Sequence, residues 1–194
     1  MITVTGGVNP GDIAIVCGGG AIGLAACAIL KRAGSSLVIL SEPSNERAQI
    51  GLKLGADVVI DPNHESFTEK ILELTGGRGG NIYLEASGLQ ATVWPQIETC
   101  IWKGKTIGAK VCIVSRSDEK LSVSAEVLQV KRASIIGAYG HAGHNNFYNA
   151  IQCVAGGMNV LPLITKTVLL EEVPAYLLSM QKDKTNCKVS VVMK

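Results

Sequence analysis

Aromatic residues are scarce: two Phe, two Trp and four Tyr make up 4% of 194 residues. A core must therefore come from Val, Ile, Leu and Ala, which the 47% apolar fraction supplies. Aliphatic cores of this kind suit parallel sheets covered by helices. Strong charge of one sign is also missing. Lys and Arg total 18 against 16 Asp and Glu, a net charge of +2, and no basic cluster exceeds a pair such as Lys31-Arg32. That balance gives no electrostatic footprint for nucleic acid. No polybasic or amphipathic segment suggests a membrane surface. The amino terminus lacks a basic stretch leading into an apolar core and cleavage site, which argues against secretion and for a cytoplasmic protein. The six cysteines, Cys17, Cys27, Cys100, Cys112, Cys153 and Cys187, form no C-x-x-C pair. A zinc or disulfide framework needs closer spacing, so they read as reduced core residues. The uncharged run Ile13 to Leu30 is long enough for a membrane span. Three adjacent glycines in its middle oppose a stable spanning helix, and Asp12 and Lys31-Arg32 bound two short elements instead.

What the chain does contain is Gly18-Gly19-Gly20-Ala21-Ile22-Gly23, between the apolar strand Asp12 to Cys17 and the apolar helix Ala21 to Leu30. The G-x-G-x-x-G spacing alone is weak, and a plain tight connection would also use glycine. Its context makes it specific. Gly18 permits the tight turn, Gly20 lets the backbone approach a pyrophosphate, and Gly23 lets the helix lie close on the sheet. The helix N-terminus offers unpaired N–H groups and a positive dipole end to phosphate. About twenty residues on, the strand Leu37 to Ser41 leads into Glu42, an acid placed to accept hydrogen bonds from both ribose hydroxyls. A 2′-phosphate would meet that carboxylate, so NAD is expected over NADP.

Strand and helix signals then alternate with short turns. Strands are expected at Asp57–Ile60, Asn81–Glu85, Lys110–Val114 and Ser134–Ala138. Helices are expected at Glu46–Leu54, Ser66–Leu74, Thr92–Ile101 and Ala125–Gln129, with Pro95 in the first turn of the third. The reading is α/β: a Rossmann doubly wound sheet of six parallel strands in order 3-2-1-4-5-6. A further helix, Phe147–Ala155, precedes a strand–helix–strand tail: Ile164–Val168, Val173–Gln181 and Lys188–Val192. Residues 1–160 are expected to form the dinucleotide-binding domain and 161–194 a segment belonging with a second domain.

These motifs resemble the second half of the zinc-dependent medium-chain alcohol dehydrogenases. The likeness covers nearly the whole chain. It rests on Gly6-Gly7-Val8-Asn9-Pro10-Gly11-Asp12, the glycine turn, Ser41-Glu42-Pro43-Ser44 with Arg47, Leu54-Gly55-Ala56-Asp57, Glu85-Ala86-Ser87-Gly88 and Lys188-Val189-Ser190. Val93 to Glu98 and Gly140-His141-Ala142-Gly143-His144 are similar to members acting on keto-inositols. The resemblance implies hydride transfer between NAD and a secondary alcohol, polyol or ketone, and a homo-oligomer of two or four chains. It implies that Gly18, Gly20 and Gly23, with the Ala21 and Ile22 amides, hold the phosphates. Glu42 would hold the adenosine ribose, with Pro43 against adenine and Arg47 beside the ribose. Ala86 and Ser87 would line the cofactor channel. Val114, Ser115, Arg116, Tyr139 and Gly140 would approach the nicotinamide, although Ser115 and Arg116 replace smaller or apolar residues usual there. Lys188 would pair with the pyrophosphate, unless it is an ordinary exposed lysine.

Catalytic zinc in that family is held by an amino-terminal domain. Its ligands are not among these residues, so no catalytic or metal-binding residue is assigned here and zinc is expected only in a full-length enzyme. This implies a cofactor-binding half, inactive by itself. A stand-alone nucleotide-binding module without catalysis is the alternative. His141 and His144 could ligate a metal, face a substrate cleft or be exposed imidazoles. No Tyr has a Lys four residues on, which excludes the acid–base pair of short-chain dehydrogenases. A methyltransferase shares the glycine turn and acid but not the match through Lys188.

Overall fold

Six parallel strands form one sheet in the order β3-β2-β1-β4-β5-β6, the order expected from the alternation. The structure is a computed structural model and describes residues 7–101, 108–138, 145–180 and 185–193. The strands are β1 Ile13–Cys17, β2 Leu37–Ser41, β3 Val58–Ile60, β4 Ile82–Glu85, β5 Lys110–Ile113 and β6 Ser134–Gly137. Between them run α1 Ala21–Arg32, α2 Asn45–Lys53, α3 Phe67–Leu74, α4 Gln90–Cys100 and α5 Ala125–Gln129. Helix α6, Asn146–Ala155, leads to a separate parallel pair, β7 Ile164–Leu169 and β8 Lys188–Val192, joined through α7 Val173–Met180.

The period-two alternation of β1 sorts its side chains onto two faces. Ile13, Ile15 and Cys17 join Phe67, Ile71, Trp94 and Ile97 in one core layer. Ala14 and Val16 join Leu24, Cys27 and Leu30 in the other. Helices α1 and α2 thus cover one face and α3 and α4 the other. No strand side chain of β1 reaches solvent, as a central parallel strand requires. At the opposite end of the sheet from the glycine turn, Asn81 locks β4 to β1. Its Nδ2 donates to Asp12 Oδ1 at 2.6 Å and its Oδ1 accepts from Ile13 N–H at 2.7 Å.

One helix departs from expectation. Helix α4 starts at Gln90 rather than Thr92, so Pro95 lies in its interior, not its first turn. Leu89 carbonyl accepts from Thr92 and Val93 N–H groups at 3.0 and 2.9 Å, and Glu119 Oε2 accepts from Ala91 N–H at 3.2 Å. These contacts close the first turn early, while Pro95 lacks the donor for the Ala91 carbonyl. Among the described residues, no helix is long and apolar enough to cross a membrane.

Candidate functional site

The glycine turn joins β1 to α1, and its glycines answer to different constraints. Gly18 has φ +100°, and a Cβ there would lie 2.9 Å from Ser87 Cα and N. A Cβ on Gly23 would lie 1.9 Å from Gly18 carbonyl oxygen. A Cβ on Gly19 would lie 2.7 Å from Glu42 Oε2. The fold itself excludes side chains at Gly18 and Gly23, where backbone stands in the way, whereas at Gly19 the obstacle is the Glu42 side chain. Gly20 is different: its φ is −69° and nothing lies within 4 Å of the added Cβ. No intramolecular contact requires glycine there, so the room it leaves is available to a ligand. No side chain caps α1. The N–H groups of Gly20, Ala21 and Ile22 have no partner among the described residues, and Leu24 N–H is the one that reaches back to Gly20 carbonyl, at 2.9 Å. Ile22 is 56% exposed.

Glu42 follows β2 and is 5% exposed. Its Oε2 accepts from Gly19 N–H at 2.6 Å and its Oε1 from Ser44 N–H at 2.8 Å. Each oxygen keeps a lone pair for another donor. The glycine turn and the carboxylate are therefore one assembly. Pro43 beside it is exposed. On its outer side a cleft of about 470 Å³ is lined by Glu42, Pro43, Asn45, Leu52, Asp61 and His64. Asn63 N–H and the His64 ring hold the Asp61 carboxyl below its ordinary value. Arg47, in the first turn of α2, donates from Nη2 to Asn186 carbonyl at 3.1 Å, while its buried Nε has no partner among the described residues. Burial raises the half-buried Cys187 thiol, Arg47 and Lys188 act to lower it, and Glu42 adds to the rise. The charges of Glu42, Arg47 and Lys188 thus all act on this one thiol of the tail, although Lys188 itself is exposed.

On the β4 and β5 side, Ala86 N–H donates to Cys17 carbonyl at 2.9 Å, and Val114 and Ser115 N–H groups donate to Glu85 carbonyl at 3.0 and 3.2 Å. Ala86, Ser87, Val114 and Ser115 are all half-buried around this junction, whereas Arg116 is exposed. Tyr139 and Gly140 lie outside the described residues, as do His141 and His144. Two residues escaped the sequence reading as site members. Glu85, 3% exposed, accepts through Oε1 from Ser87 N–H at 2.8 Å, Gly88 N–H at 3.2 Å and Ser87 Oγ, and through Oε2 from Ser115 Oγ. Gln90, 6% exposed, donates from Nε2 to Ser115 Oγ at 2.7 Å. An acid closing β4, much as Glu42 follows β2, was the available signal for Glu85. Gln90 had none. Among the described residues, no group of three or more His, Cys, Asp or Glu stands together to hold a metal ion.

A parallel sheet in this order, with a glycine turn at its β1/α1 switch point, defines a Rossmann-like nucleotide-binding fold. More narrowly, the chain belongs to the zinc-binding dehydrogenase family, whose profile matches residues 21–156. It is 50% identical over 192 residues to scyllo-inosose 3-dehydrogenase of Thermotoga maritima, covering 99% of this chain and 49% of that protein. It is 28% identical over 165 residues to L-threonine 3-dehydrogenase of Pyrococcus abyssi, covering 84% of this chain and 46% of that one. The solved structure of 2R,3R-butanediol dehydrogenase from Bacillus subtilis superposes with a TM-score of 0.81 at 27% identity, over 95% of this chain and 51% of that chain. The chain spans about half the length of the curated relatives it matches. Dehydrogenases of this family are NAD(P)-dependent.

Proposed function

We propose that this chain binds NAD and forms the cofactor-holding half of an alcohol or polyol dehydrogenase. The observation that supports it best is the contact between Gly19 N–H and Glu42 Oε2 at 2.6 Å. The carboxylate that would hold the ribose thus lies against a turn whose next amides, at Gly20, Ala21 and Ile22, have no partner among the described residues. The pyrophosphate would take those amides, and the ribose diol would donate to the free lone pairs of Glu42. Arg47 and Lys188 would balance the phosphate charge. When bound, the nicotinamide supplies hydride transfer; the residues of this chain orient it and keep its ribose from turning.

NAD is preferred over NADP on electrostatic grounds. A 2′-phosphate beside Glu42 would be opposed by about 4 kcal/mol per charge at ~4 Å and an effective dielectric of 20. Asp61 and Glu65 line the same side, so Arg47 is outnumbered there.

Residues 1–160 form the NAD-binding unit in this reading, and 161–194 belong with a catalytic portion. The exposed apolar side chains of α6 and α7, Phe147 at 82% and Leu178 at 71% among them, suit such a second surface. Zinc and its ligands belong to that portion, and no metal is assigned to this chain. The whole enzyme would be a cytoplasmic homo-oligomer acting on an alcohol or keto-polyol, as the relatedness to scyllo-inosose 3-dehydrogenase suggests. Calorimetric titration of the chain with NAD and NADP, beside the Glu42→Ala variant, tests the cofactor reading. NAD should bind at least tenfold tighter than NADP, and the variant should lose most of that difference. Equal affinities in the parent overturn it.

A further inference from the structure

Glu85 and Glu42 flank the glycine turn from opposite sides, but their surroundings differ. Glu85 closes β4 and is paired in register with Cys17 of β1 and Ile113 of β5. The turn it holds touches the glycine turn directly, because Gly18 packs against the Ser87 backbone so closely that a Cβ would sit 2.9 Å away. The donors to its carboxylate are all neutral: Ser87 N–H and Oγ, Gly88 N–H and Ser115 Oγ. Gln90 Nε2 in turn donates to Ser115 Oγ at 2.7 Å. The described ion pairs join Lys31 to Asp57, His64 to Asp61 and Lys70 to Glu73, and none includes Glu85. The N-terminal dipole of α4 helps to hold its charge without cancelling it. That charge reaches the end of β1, where burial, then Glu85, then Cys100 push the Cys17 thiol well up.

In a doubly wound sheet the second half, β4 to β6, receives the second nucleoside of a dinucleotide. We propose that Glu85 determines which redox form of the cofactor this chain prefers, its buried carboxylate, in no ion pair among the described residues, favouring the cationic ring of NAD⁺ over the neutral ring of NADH. The inference rests on the NAD-binding reading above. Pyrophosphate and adenosine are identical in the two forms, so their interactions with Glu42, and their repulsion from Glu85, cancel in the ratio of affinities. The nicotinamide charge does not cancel.

The test is calorimetric titration of the 194-residue chain, parent and Glu85→Gln, with NAD⁺, NADH and ADP-ribose. The near-isosteric amide keeps an acceptor for Ser87 and Gly88 but removes the charge. The ratio of NAD⁺ to NADH affinity should fall about fivefold in the variant, a change typical of one charge acting through partly screened protein. NADH and ADP-ribose should move together, their affinities relative to each other staying within about twofold of the parent. Equal weakening of NAD⁺ and NADH overturns the proposal and leaves Glu85 a purely structural clamp. Should circular dichroism show that Glu85→Gln does not fold, the parent decides: NAD⁺ bound at least as tightly as NADH supports the proposal, and tighter NADH overturns it. A parent that binds none of the three ligands removes the cofactor reading itself, a result distinct from an unmoved ratio.

Discussion

The main-chain N–H of Gly19 donates to Glu42 Oε2 at 2.6 Å across 23 positions of sequence. The carboxylate is therefore in place before any ligand arrives, and glycine is what admits it. A Cβ at residue 19 would lie 2.7 Å from Oε2 and 2.8 Å from Cγ of Glu42. Gly19→Ala should leave the fold intact, because the Glu42 side chain can swing away. It should cost at least tenfold in NAD affinity and blur the choice between NAD and NADP. Paired calorimetry and thermal melts check both halves of this expectation.

Gly20 and Gly23 should separate binding from stability. Gly20→Ala meets open space at a φ of −69°, so stability should change by less than about 0.5 kcal/mol while NAD affinity falls. Gly23→Ala would drive a Cβ to 1.9 Å from Gly18 carbonyl oxygen. Forcing α1 off the sheet should cost on the order of 2 kcal/mol or more. Urea unfolding beside ligand titration distinguishes the two. Equal loss of stability in both variants would contradict the division of labour.

Cys187 offers a chemical reporter of occupancy. It is half-buried, and Glu42, Arg47 and Lys188 all act on its thiol. NAD should slow its alkylation several-fold, whereas fully buried Cys17 and Cys27 should stay unmodified until the chain unfolds. Peptide mapping after timed iodoacetamide exposure reads all three. Unaltered Cys187 labelling under saturating NAD would place the cofactor away from the tail.

Alkaline pH should destabilise the fold through the same thiols. Burial pushes Cys27 up to about 12 and raises Cys17 well above its ordinary value. Above about pH 9 the unfolded thiols lose their protons and the folded ones keep them. The folded state then holds more protons, so stability is full below pH 9 and falls as pH rises toward 12. The slope approaches about 1.4 kcal/mol per pH unit for each such thiol. Unfolding free energies at pH 8 and 10 measure it, and Cys27→Ala should flatten the slope.

At the far end of the sheet, Asn81→Ala should be costly. It strips Asp12 Oδ1 of a donor at 2.6 Å and Ile13 N–H of its acceptor at 2.7 Å, both buried. Leaving one carboxylate oxygen and an amide unpaired there should cost about 3 kcal/mol, while Asn9 N–H still donates to the other oxygen of Asp12 at 2.7 Å. NAD affinity at a fixed folded concentration should hold, because the glycine turn lies at the other end of β1.

Much of this protein was legible in one dimension. Alternating strand and helix signals, with right-handed connections between neighbouring parallel strands, leave few sheet orders open, and β3-β2-β1-β4-β5-β6 is the one formed. Gly18 to Gly23 and Glu42 were readable because local steric needs and a short spacing set them. Pro95 misled, because the contacts that start α4 at Gln90 come partly from Glu119. Tertiary structure alone decided which glycine is free of the fold and which are demanded by it, since that depends on Ser87 and Glu42 approaching from other strands. It also brought Ser115 to Glu85 across 30 residues and Asn186 to Arg47 across 139. Local sequence carries backbone geometry and burial period; a carboxylate's charge balance depends on which distant donors surround it, and only the folded chain assembles those.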